Sequence, residues 1–273
     1  MCKMITLTPL RKVQFPVVAS CINPDIFQGK SVPEIAALTI WEGNRKKTLG
    51  DLFKIEENKA ESPNITVNGD ASEIRWVGWE MKNGEIVVNG NVGMHLGEKM
   101  SGGKITVHGD AAGWAGSGMK GGLIEIMGNA GDYLASPYRG SSVGMSKGTI
   151  IVHGDVGSDV AVFMKSGVIK VHGNAGPFLG FRMRGGTVHV EKNSGNRAGA
   201  CMTGGKIVVS GFLEEVMPTF TIDGVKAKVK IDESEKAAGP FYVFLGDLAE
   251  TGNGKLYVSK ANNSHLSRYE RFL

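Results

Sequence analysis

The sequence predicts an all-β protein whose middle section, residues 65–211, is a single-stranded right-handed parallel β-helix of about seven or eight coils. Three observations predict this fold. A unit of about nineteen residues repeats, each unit carries a short pair of alternating Ile or Val residues, and glycines flank that pair. So short a strand cannot bury its apolar face alone, so we expect the units to stack at a strand spacing of about 4.8 Å.

Each full unit contains a methionine, followed three residues later by glycine and then by the Ile/Val pair. The methionines are Met81, Met100, Met119, Met145, Met164, Met183 and Met202. Alternate residues of a strand share one face, so each Ile/Val pair points to the same side. We interpret the methionines as an internal stack in which flexible thioethers fill the space between successive Ile/Val pairs.

An Asp or Asn follows the glycine that ends each strand. The column is Asp70, Asn91, Asp110, Asn129, Asp155, Asn174 and Asn193. Stacked carboxylates repel one another, and the near-strict alternation of Asp with Asn avoids that repulsion. If the units stack in register, each Asn amide is expected to donate a hydrogen bond to the carboxylate above or below it.

Residues 1–64 and 212–273 break the repeat and are predicted to cap the strand edges, which would otherwise promote aggregation. In the N-terminal cap we predict a strand at residues 4–7 and a short helix at 32–38, with Ser31 as N-cap and Pro33 near its start. In the C-terminal cap, alternation predicts strands or extended arms at 228–231 and 255–258. The basic tail, 265–273, is expected at the surface or on a partner.

One unit is longer than the others, because the fourth step between Ile/Val pairs spans twenty-six residues. The additional residues fall within the segment 132–142. Loops that leave a regular scaffold often carry binding residues, and Tyr and Arg are enriched in interface hot spots. Tyr133, Tyr138 and Arg139 are therefore candidates for partner contact, with an ordinary surface loop as the alternative.

Composition argues against several classes of protein. The net charge is +4 and the basic residues do not cluster, which disfavours nucleic-acid binding. Cys2, Cys21 and Cys201 are scattered without a CxxC motif, so no metal or iron–sulfur site and no disulfide framework is expected. The chain shows neither a signal peptide nor a long apolar segment, so we expect a soluble cytoplasmic protein without membrane association.

Three histidines share one repeat position: His108, His153 and His172. Stacking would bring His153 and His172 within about 5 Å, a distance compatible with two metal ligands. The same column also holds Asn, Met, Glu and Ser, so we favour solvent-facing turn residues. The glycine pairs of the repeat lack the Ser/Thr and helix of a phosphate-binding loop.

The outward positions of the strands are chemically mixed and partly apolar. They are Thr66, Val87, Thr106, Glu125, Ile151, Lys170, His189 and Val208. A carbohydrate-cleaving β-helix would need acidic and basic residues clustered there, whereas apolar residues on an outer face indicate a covering partner. We therefore predict a scaffold, with no catalytic, cofactor-binding or metal-binding residue in this chain.

The repeat Met-x-Gly-Gly-x-Ile-x-Val-x-Gly-[Asp/Asn]-Ala-Gly resembles the glycine-rich β-helix shared by the last domain of the glutamate synthase large subunit and by the C subunit of formylmethanofuran dehydrogenase. Units such as 97–109 and 116–128, the long fourth unit, and the stretches 27–31 and 43–51 are similar to the second family. The likeness spans nearly the whole chain. Glu191-Lys192 and Ala161 depart from the pattern locally.

The resemblance implies a non-catalytic structural subunit of the complex that reduces CO2 and attaches it to methanofuran as formylmethanofuran, the first step of methanogenesis from CO2. It implies that other subunits hold tungsto- or molybdopterin, iron–sulfur clusters and zinc, and that this chain holds no cofactor. The implied partners are the amidohydrolase-like A subunit, the pterin and iron–sulfur B subunit, the D subunit and polyferredoxin-type subunits. The alternatives are the β-helix subunit of a bacterial formyltransferase/hydrolase complex and, more remotely, a free-standing β-helix enzyme.

Overall fold

The computed structural model describes residues 3–59 and 62–273, so Cys2 lies outside the described part. The protein is mostly β, with 38% strand and 9% helix, which confirms the predicted class. The strands are β1 (Lys3–Pro9), β2 (Val17–Val18), β3 (Thr39–Glu42), β4 (Arg45–Thr48), β5 (Phe53–Lys59), β6 (Ile65–Asn68), β7 (Ile74–Arg75), β8 (Glu85–Asn89), β9 (Lys104–Val107), β10 (Lys120–Ile126), β11 (Lys147–Val152), β12 (Val168–Val171), β13 (Arg184–Val190), β14 (Gly204–Val209), β15 (Thr221–Lys230), β16 (Lys236–Gly246) and β17 (Gly254–Ser259).

The helices are all short. They are α1 (Pro24–Phe27), α2 (Val32–Ala36) and the 3-10 helices Leu49–Asp51, Leu248–Glu250 and Ser264–Phe272. Ser31 and Glu34 form a capping box at the start of α2, where the sequence places the N-cap. Within the described residues, no helix has the length and apolar character needed to cross a membrane.

A large sheet joins the repeat units in sequence order. Its order is β15-β16-β17-β14-β13-β12-β11-β10-β9-β8-β6-β1-β5. Within this order, all neighbours in the stretch that starts at β17 and ends at β1 pair in parallel. The Ile/Val pairs align directly, as in Ile86 opposite Ile105 and Val88 opposite Val107. This alignment confirms a large parallel sheet built from the repeat.

Consecutive units also pair outside this sheet. Isolated parallel bridges link the residue after each Asp or Asn to its equivalent in the next unit, beginning with Ala71 opposite Val92. From Met100 onward, the residue after each repeat methionine donates its backbone N–H to the carbonyl of the methionine one unit earlier, as Ser101 does to Met81 at 2.8 Å. Each unit therefore contacts the next along three separate lines.

The space between these lines is filled by apolar columns. The Ile/Val pairs and all seven methionines of the repeat are fully buried. A further buried column, not predicted from the sequence, comprises Val77, Leu96, Ala115, Leu134, Val160, Leu179 and Ala198. These columns belong to one continuous apolar cluster that runs along the stack.

The Asp/Asn column forms a ladder, but its hydrogen bonds differ from those expected. The side-chain Oδ1 of one unit accepts the backbone N–H of the next Asp or Asn, for example Asn91 from Asp110 at 2.9 Å and Asn129 from Asp155 at 2.8 Å. An amide-to-carboxylate bond is present at Asn174 and Asp155, 3.0 Å apart. Stacking places the backbone donor closest, and Asp and Asn both offer the acceptor that this donor needs.

The N-terminal segment continues the large sheet. β1 pairs parallel with β6, so Ile5 and Leu7 lie opposite Ile65 and Val67 and add one more buried rung. β5 then pairs antiparallel with β1 along its whole length. The order β4-β3-β2-β7 forms a separate four-stranded sheet. The stack therefore includes residues on the N-terminal side of residue 65, the predicted start of the repeat domain.

The C-terminal segment closes the other end and covers part of the outer face. β17 pairs parallel with β14 and is followed in the sheet by antiparallel β16 and β15. Val229 and Ile231, at the end of this hairpin, pack with Val208 in a second apolar cluster. At Val208 the expectation that a partner covers the outer face is therefore wrong, because this chain's own hairpin covers it.

Candidate partner-binding surface

Four ring side chains from consecutive units stack along one corner of the fold. Trp76 and His95 have ring centroids 4.5 Å apart, His95 and Trp114 5.5 Å, and Trp114 and Tyr133 4.6 Å, with interplanar angles of 3°, 12° and 11°. We call these four residues the aromatic row. This row was not predicted from the sequence, although the regular spacing of nineteen residues between the four positions indicates it.

The backbone at this corner is left-handed in each unit. The φ angles are 61° at Trp76, 65° at His95, 60° at Trp114 and 63° at Tyr133. Left-handed conformations cost non-glycine residues about 1–2 kcal/mol each, so the surrounding structure must enforce them. Hydrogen bonds between units do so, since His95 donates its backbone N–H to the Gly113 carbonyl at 3.1 Å. The same turn in every unit aligns the rings.

Polar contacts hold the first half of the row. Trp76 Nε1 donates to Glu98 Oε2 at 3.1 Å, and His95 Nδ1 lies 2.7 Å from the same oxygen without the alignment of a hydrogen bond. The His95 side chain is buried. Glu98 therefore joins two rings of the row.

The inserted loop folds back over the row. The Tyr138 ring lies 5.4 Å from His95 and 5.6 Å from Trp114, tilted by 60° to both. Of the three predicted contact residues, Tyr133 thus belongs to the aromatic row and Tyr138 covers it, although Tyr138 remains 52% exposed. Arg139 is exposed, and its side chain makes no ion pair or hydrogen bond within the described residues.

A depression of about 490 Å³ lies between this loop and the neighbouring units. Its lining includes Lys99, Lys120, Arg139 and Glu98, together with Tyr138. Three basic side chains therefore surround an opening that contains one carboxylate. Tyr138 and Arg139 are of the residue types enriched at protein interfaces, so the depression is suited to contact with another polypeptide.

Beyond the inserted loop, the same corner carries arginine and phenylalanine. The guanidinium carbon of Arg197 lies 5.2 Å from the Phe178 ring centroid, and that of Arg184 lies 5.2 Å from Phe163. The guanidinium of Arg182 lies 5.7 Å from Phe163 and 5.4 Å from Phe181. We call this set the arginine–phenylalanine cluster: Phe163, Phe178, Phe181, Arg182, Arg184 and Arg197.

The histidine column lies on a different part of the surface. The rings of His153 and His172 are 5.0 Å apart, which confirms the predicted distance. His153 Nε2 lies 3.2 Å from Glu125 Oε1, and His172 Nδ1 lies 2.8 Å from Glu191 Oε1. Each histidine therefore has a carboxylate beside it.

His189, Glu191 and Glu235 form a group whose potential ligand atoms lie within 4.8 Å of one another. Lys170 Nζ, however, lies 2.6 Å from Glu235 Oε2 and 2.5 Å from Asp232 Oδ2. Of the two carboxylates in the group, Glu235 is therefore already paired with an ammonium group, and Glu191 lies beside His172. The arrangement fits an ion-pair cluster that anchors the β15–β16 hairpin, and we assign no metal to it.

Comparisons with known proteins point to one family of relatives. No family model matches the sequence. The chain is 48% identical to the C subunit of tungsten-containing formylmethanofuran dehydrogenase 2 of Methanococcus maripaludis over 260 residues, which cover 93% of this chain and 96% of that protein. It is 42% identical over 91 residues to the C subunit of molybdenum-containing formylmethanofuran dehydrogenase 1 of Methanothermobacter marburgensis, a match to 33% of this chain and 23% of that relative.

A solved structure shows the same architecture. The formyltransferase/hydrolase complex from Methylorubrum extorquens, crystallised with methylofuran, contains a chain that matches with a TM-score of 0.86 and 31% identity. The match covers 93% of this chain and 99% of that chain. Because the 48% identity to the Methanococcus maripaludis protein extends over nearly the full length of both chains, the chain belongs to the family of formylmethanofuran dehydrogenase C subunits.

Proposed function

We propose that this chain is the structural, non-catalytic subunit of a formylmethanofuran dehydrogenase, the complex that reduces CO2 and attaches it to methanofuran. The observation that carries the proposal is the 48% identity to a subunit of that name over 93% of the chain. The described residues contribute stacked apolar columns, backbone ladders and ion pairs, which suits a scaffold.

We infer that the repeat forms the coils of a right-handed parallel β-helix. Its support is the pairing of each unit with the next along three lines, in sequence order and in register. A chain that returns to the same three lines every nineteen residues makes one turn per unit. Such a stack is rigid along its axis because every unit is held by both neighbours.

In this proposal the other subunits supply the chemistry. They are the amidohydrolase-like A subunit, the pterin and iron–sulfur B subunit, the D subunit and polyferredoxin-type subunits. Tungsto- or molybdopterin, iron–sulfur clusters and zinc reside in those subunits, and this chain fixes their relative positions. The Methylorubrum extorquens neighbour comes from a multi-subunit complex, which supports a role in assembly.

The second candidate is the equivalent subunit of a formyltransferase/hydrolase complex. The structural match with a TM-score of 0.86 favours the same scaffold role in that setting. The lower identity of that chain, 31% against 48%, places the dehydrogenase first.

Affinity purification of the tagged chain from its native cells tests both. Under the leading proposal, subunits that contain a tungsto- or molybdopterin and zinc accompany the chain, and the eluate forms formylmethanofuran with a low-potential electron donor. The second candidate predicts formyltransferase partners without a pterin. Recovery of the chain alone, or turnover by the isolated chain, would contradict the scaffold proposal.

A further inference from the structure

The arginine–phenylalanine cluster presents guanidinium groups in a constrained geometry. Arg182, Arg184 and Arg197 are exposed, and each lies within 5.7 Å of a phenylalanine ring centroid. Stacking against a ring limits the freedom of the side chain while leaving the N–H groups at the guanidinium edge available. The cluster is therefore organised to donate hydrogen bonds before any ligand arrives.

These three guanidinium groups have no carboxylate partner within the described part of the chain. Other cations of the molecule do, since Arg11 donates two hydrogen bonds to Glu42 at 2.7 and 2.8 Å. Arginine favours such two-point contacts with carboxylates because its planar fork matches the carboxylate geometry. Three exposed guanidinium groups without a carboxylate partner among the described residues favour contact with negatively charged groups.

The guanidinium groups of the cluster lie close together. Those of Arg182 and Arg184 both lie near the Phe163 ring, with their guanidinium carbons 5.7 and 5.2 Å from its centroid. Two neighbouring guanidinium groups favour a ligand that carries more than one carboxylate. Arg197 lies on the next unit, where it can receive a third acidic group, and half-buried Phe178 and Phe181 supply apolar contact area.

From these observations we propose that the arginine–phenylalanine cluster docks an acidic segment of a partner polypeptide, whose Asp or Glu carboxylates pair with the three guanidinium groups. The proposal rests on the proposed function, because the segment belongs to another subunit of the same complex. A protein ligand is favoured over a nucleic acid because the basic residues of this chain do not extend into a long stripe and its net charge is only +4.

The test compares two triple variants in the complex purified from native cells. Arg182→Gln with Arg184→Gln and Arg197→Gln removes the proposed site, whereas Lys226→Gln with Lys228→Gln and Lys236→Gln removes three exposed charges elsewhere. We expect the arginine variant to weaken retention of partner subunits by at least about tenfold, with a smaller effect of added salt than in wild type. The lysine variant should assemble like wild type, and both should keep the wild-type unfolding midpoint.

A crosslinking experiment identifies the ligand. Arg184→Lys keeps the charge and introduces an amine that a zero-length carbodiimide couples to a nearby carboxylate. We expect a crosslinked peptide from Lys at this position to an acidic segment of a partner. A complex that assembles equally well with the arginine variant overturns this inference alone, whereas failure to recover any complex from wild type overturns the proposed function as well. Arginine-dependent binding of a single-stranded oligonucleotide, with unchanged assembly, would also overturn it.

Discussion

The methyl group of Met81 lies where a side chain on Gly103 would begin, since a Cβ at Gly103 would be 2.5 Å from Met81 Cε. The same relationship joins Met100 to Gly122, at 2.6 Å, and recurs in later units. Each methionine methyl therefore occupies the space that the glycine of the following unit leaves open. This contact gives a physical reason for the joint recurrence of the two residues in the repeat.

Gly122→Ala should destabilise the chain through this contact and through the neighbouring backbone of the preceding unit. Gly122 has a φ of +85°, and a Cβ there would lie 2.6 Å from Met100 Cε and 2.8 Å from the Gly103 carbonyl oxygen. Gly140 has a φ of +84° with no atom within 4 Å of such a Cβ, so Gly140→Ala is the matched control. The control should lose about 1–2 kcal/mol from backbone strain alone. Gly122→Ala should lose about 1–3 kcal/mol more from overpacking, measured by urea unfolding. Equal losses would mean that the methionine contact is unimportant.

The Asp/Asn ladder should depend on its acceptor oxygens. Asn129 Oδ1 accepts the backbone N–H of Asp155 at 2.8 Å, so Asn129→Ala leaves that donor without its protein partner. We expect a loss of about 1 kcal/mol in the free energy of unfolding. Asn196→Ala is the comparison, because Asn196 is exposed and its side chain makes no hydrogen bond within the described residues. A similar effect of both substitutions would contradict the ladder.

The ion pair between Lys170 and Asp232 should make hairpin attachment dependent on pH. A hydrogen bond from Lys170 holds the pKa of Asp232 well below its usual range. Burial opposes the charged form of Lys170, but its bonds to Asp232 and Glu235 outweigh that effect and raise its pKa. Because the folded-state pKa of Asp232 is depressed, its contribution is present above about pH 4 and is lost as the pH falls toward the folded-state value.

Asp232→Asn tests this linkage. At pH 7 the variant should unfold at a lower urea concentration than wild type, and the difference should shrink as the pH falls below about 4. Glu233→Gln alters a neighbouring exposed carboxylate that has no ion pair with any described residue, so it should match wild type at both pH values. A difference between Asp232→Asn and wild type that stays constant with pH would exclude the proposed linkage.

Two substitutions in the inserted loop should affect complex assembly and folding stability differently. Arg139→Ala removes an exposed cation without a partner in the described part of the chain, so we expect weaker retention of partner subunits and unchanged unfolding of the isolated chain. Tyr138→Ala removes two ring contacts and should cost about 0.5–1.5 kcal/mol of stability while exposing Trp114, which red-shifts tryptophan emission. Wild-type assembly of both variants would assign the loop to an ordinary surface role.

The repeat could be predicted from sequence because its contacts join equivalent residues of neighbouring units. Ile86 and Ile105 occupy the same repeat position, so the period of nineteen residues alone places them together. The same logic would have found the aromatic row, but the ring type changes from Trp76 to His95 and to Tyr133. A search for one recurring residue type overlooks a repeat position whose residues share only a planar ring.

Contacts outside the repeat could not be predicted in this way. Nothing in the alternation of β15 indicates that Ile231 reaches Val208, because the pairing joins segments without a common period. Likewise, Ile5 and Leu7 join the stack through pairing with β6, which local pattern does not reveal. For the Asp/Asn ladder, the repeat pattern identified the column of residues but not its hydrogen bonds. A backbone N–H, and not the expected side-chain amide, is the donor to Asn91 Oδ1.

The antiparallel strands at both ends of the large sheet, β5 beside β1 and β16 beside β17, give the stack a definite number of units. Among the described strands, neither end offers the parallel register that would let a further unit, or a second molecule, continue the stack in the same direction. Under the proposed scaffold role, the number of units, at a strand spacing of about 4.8 Å, would set the distance between the subunits bound on either side. Deleting one unit would then bring those subunits closer by one strand spacing.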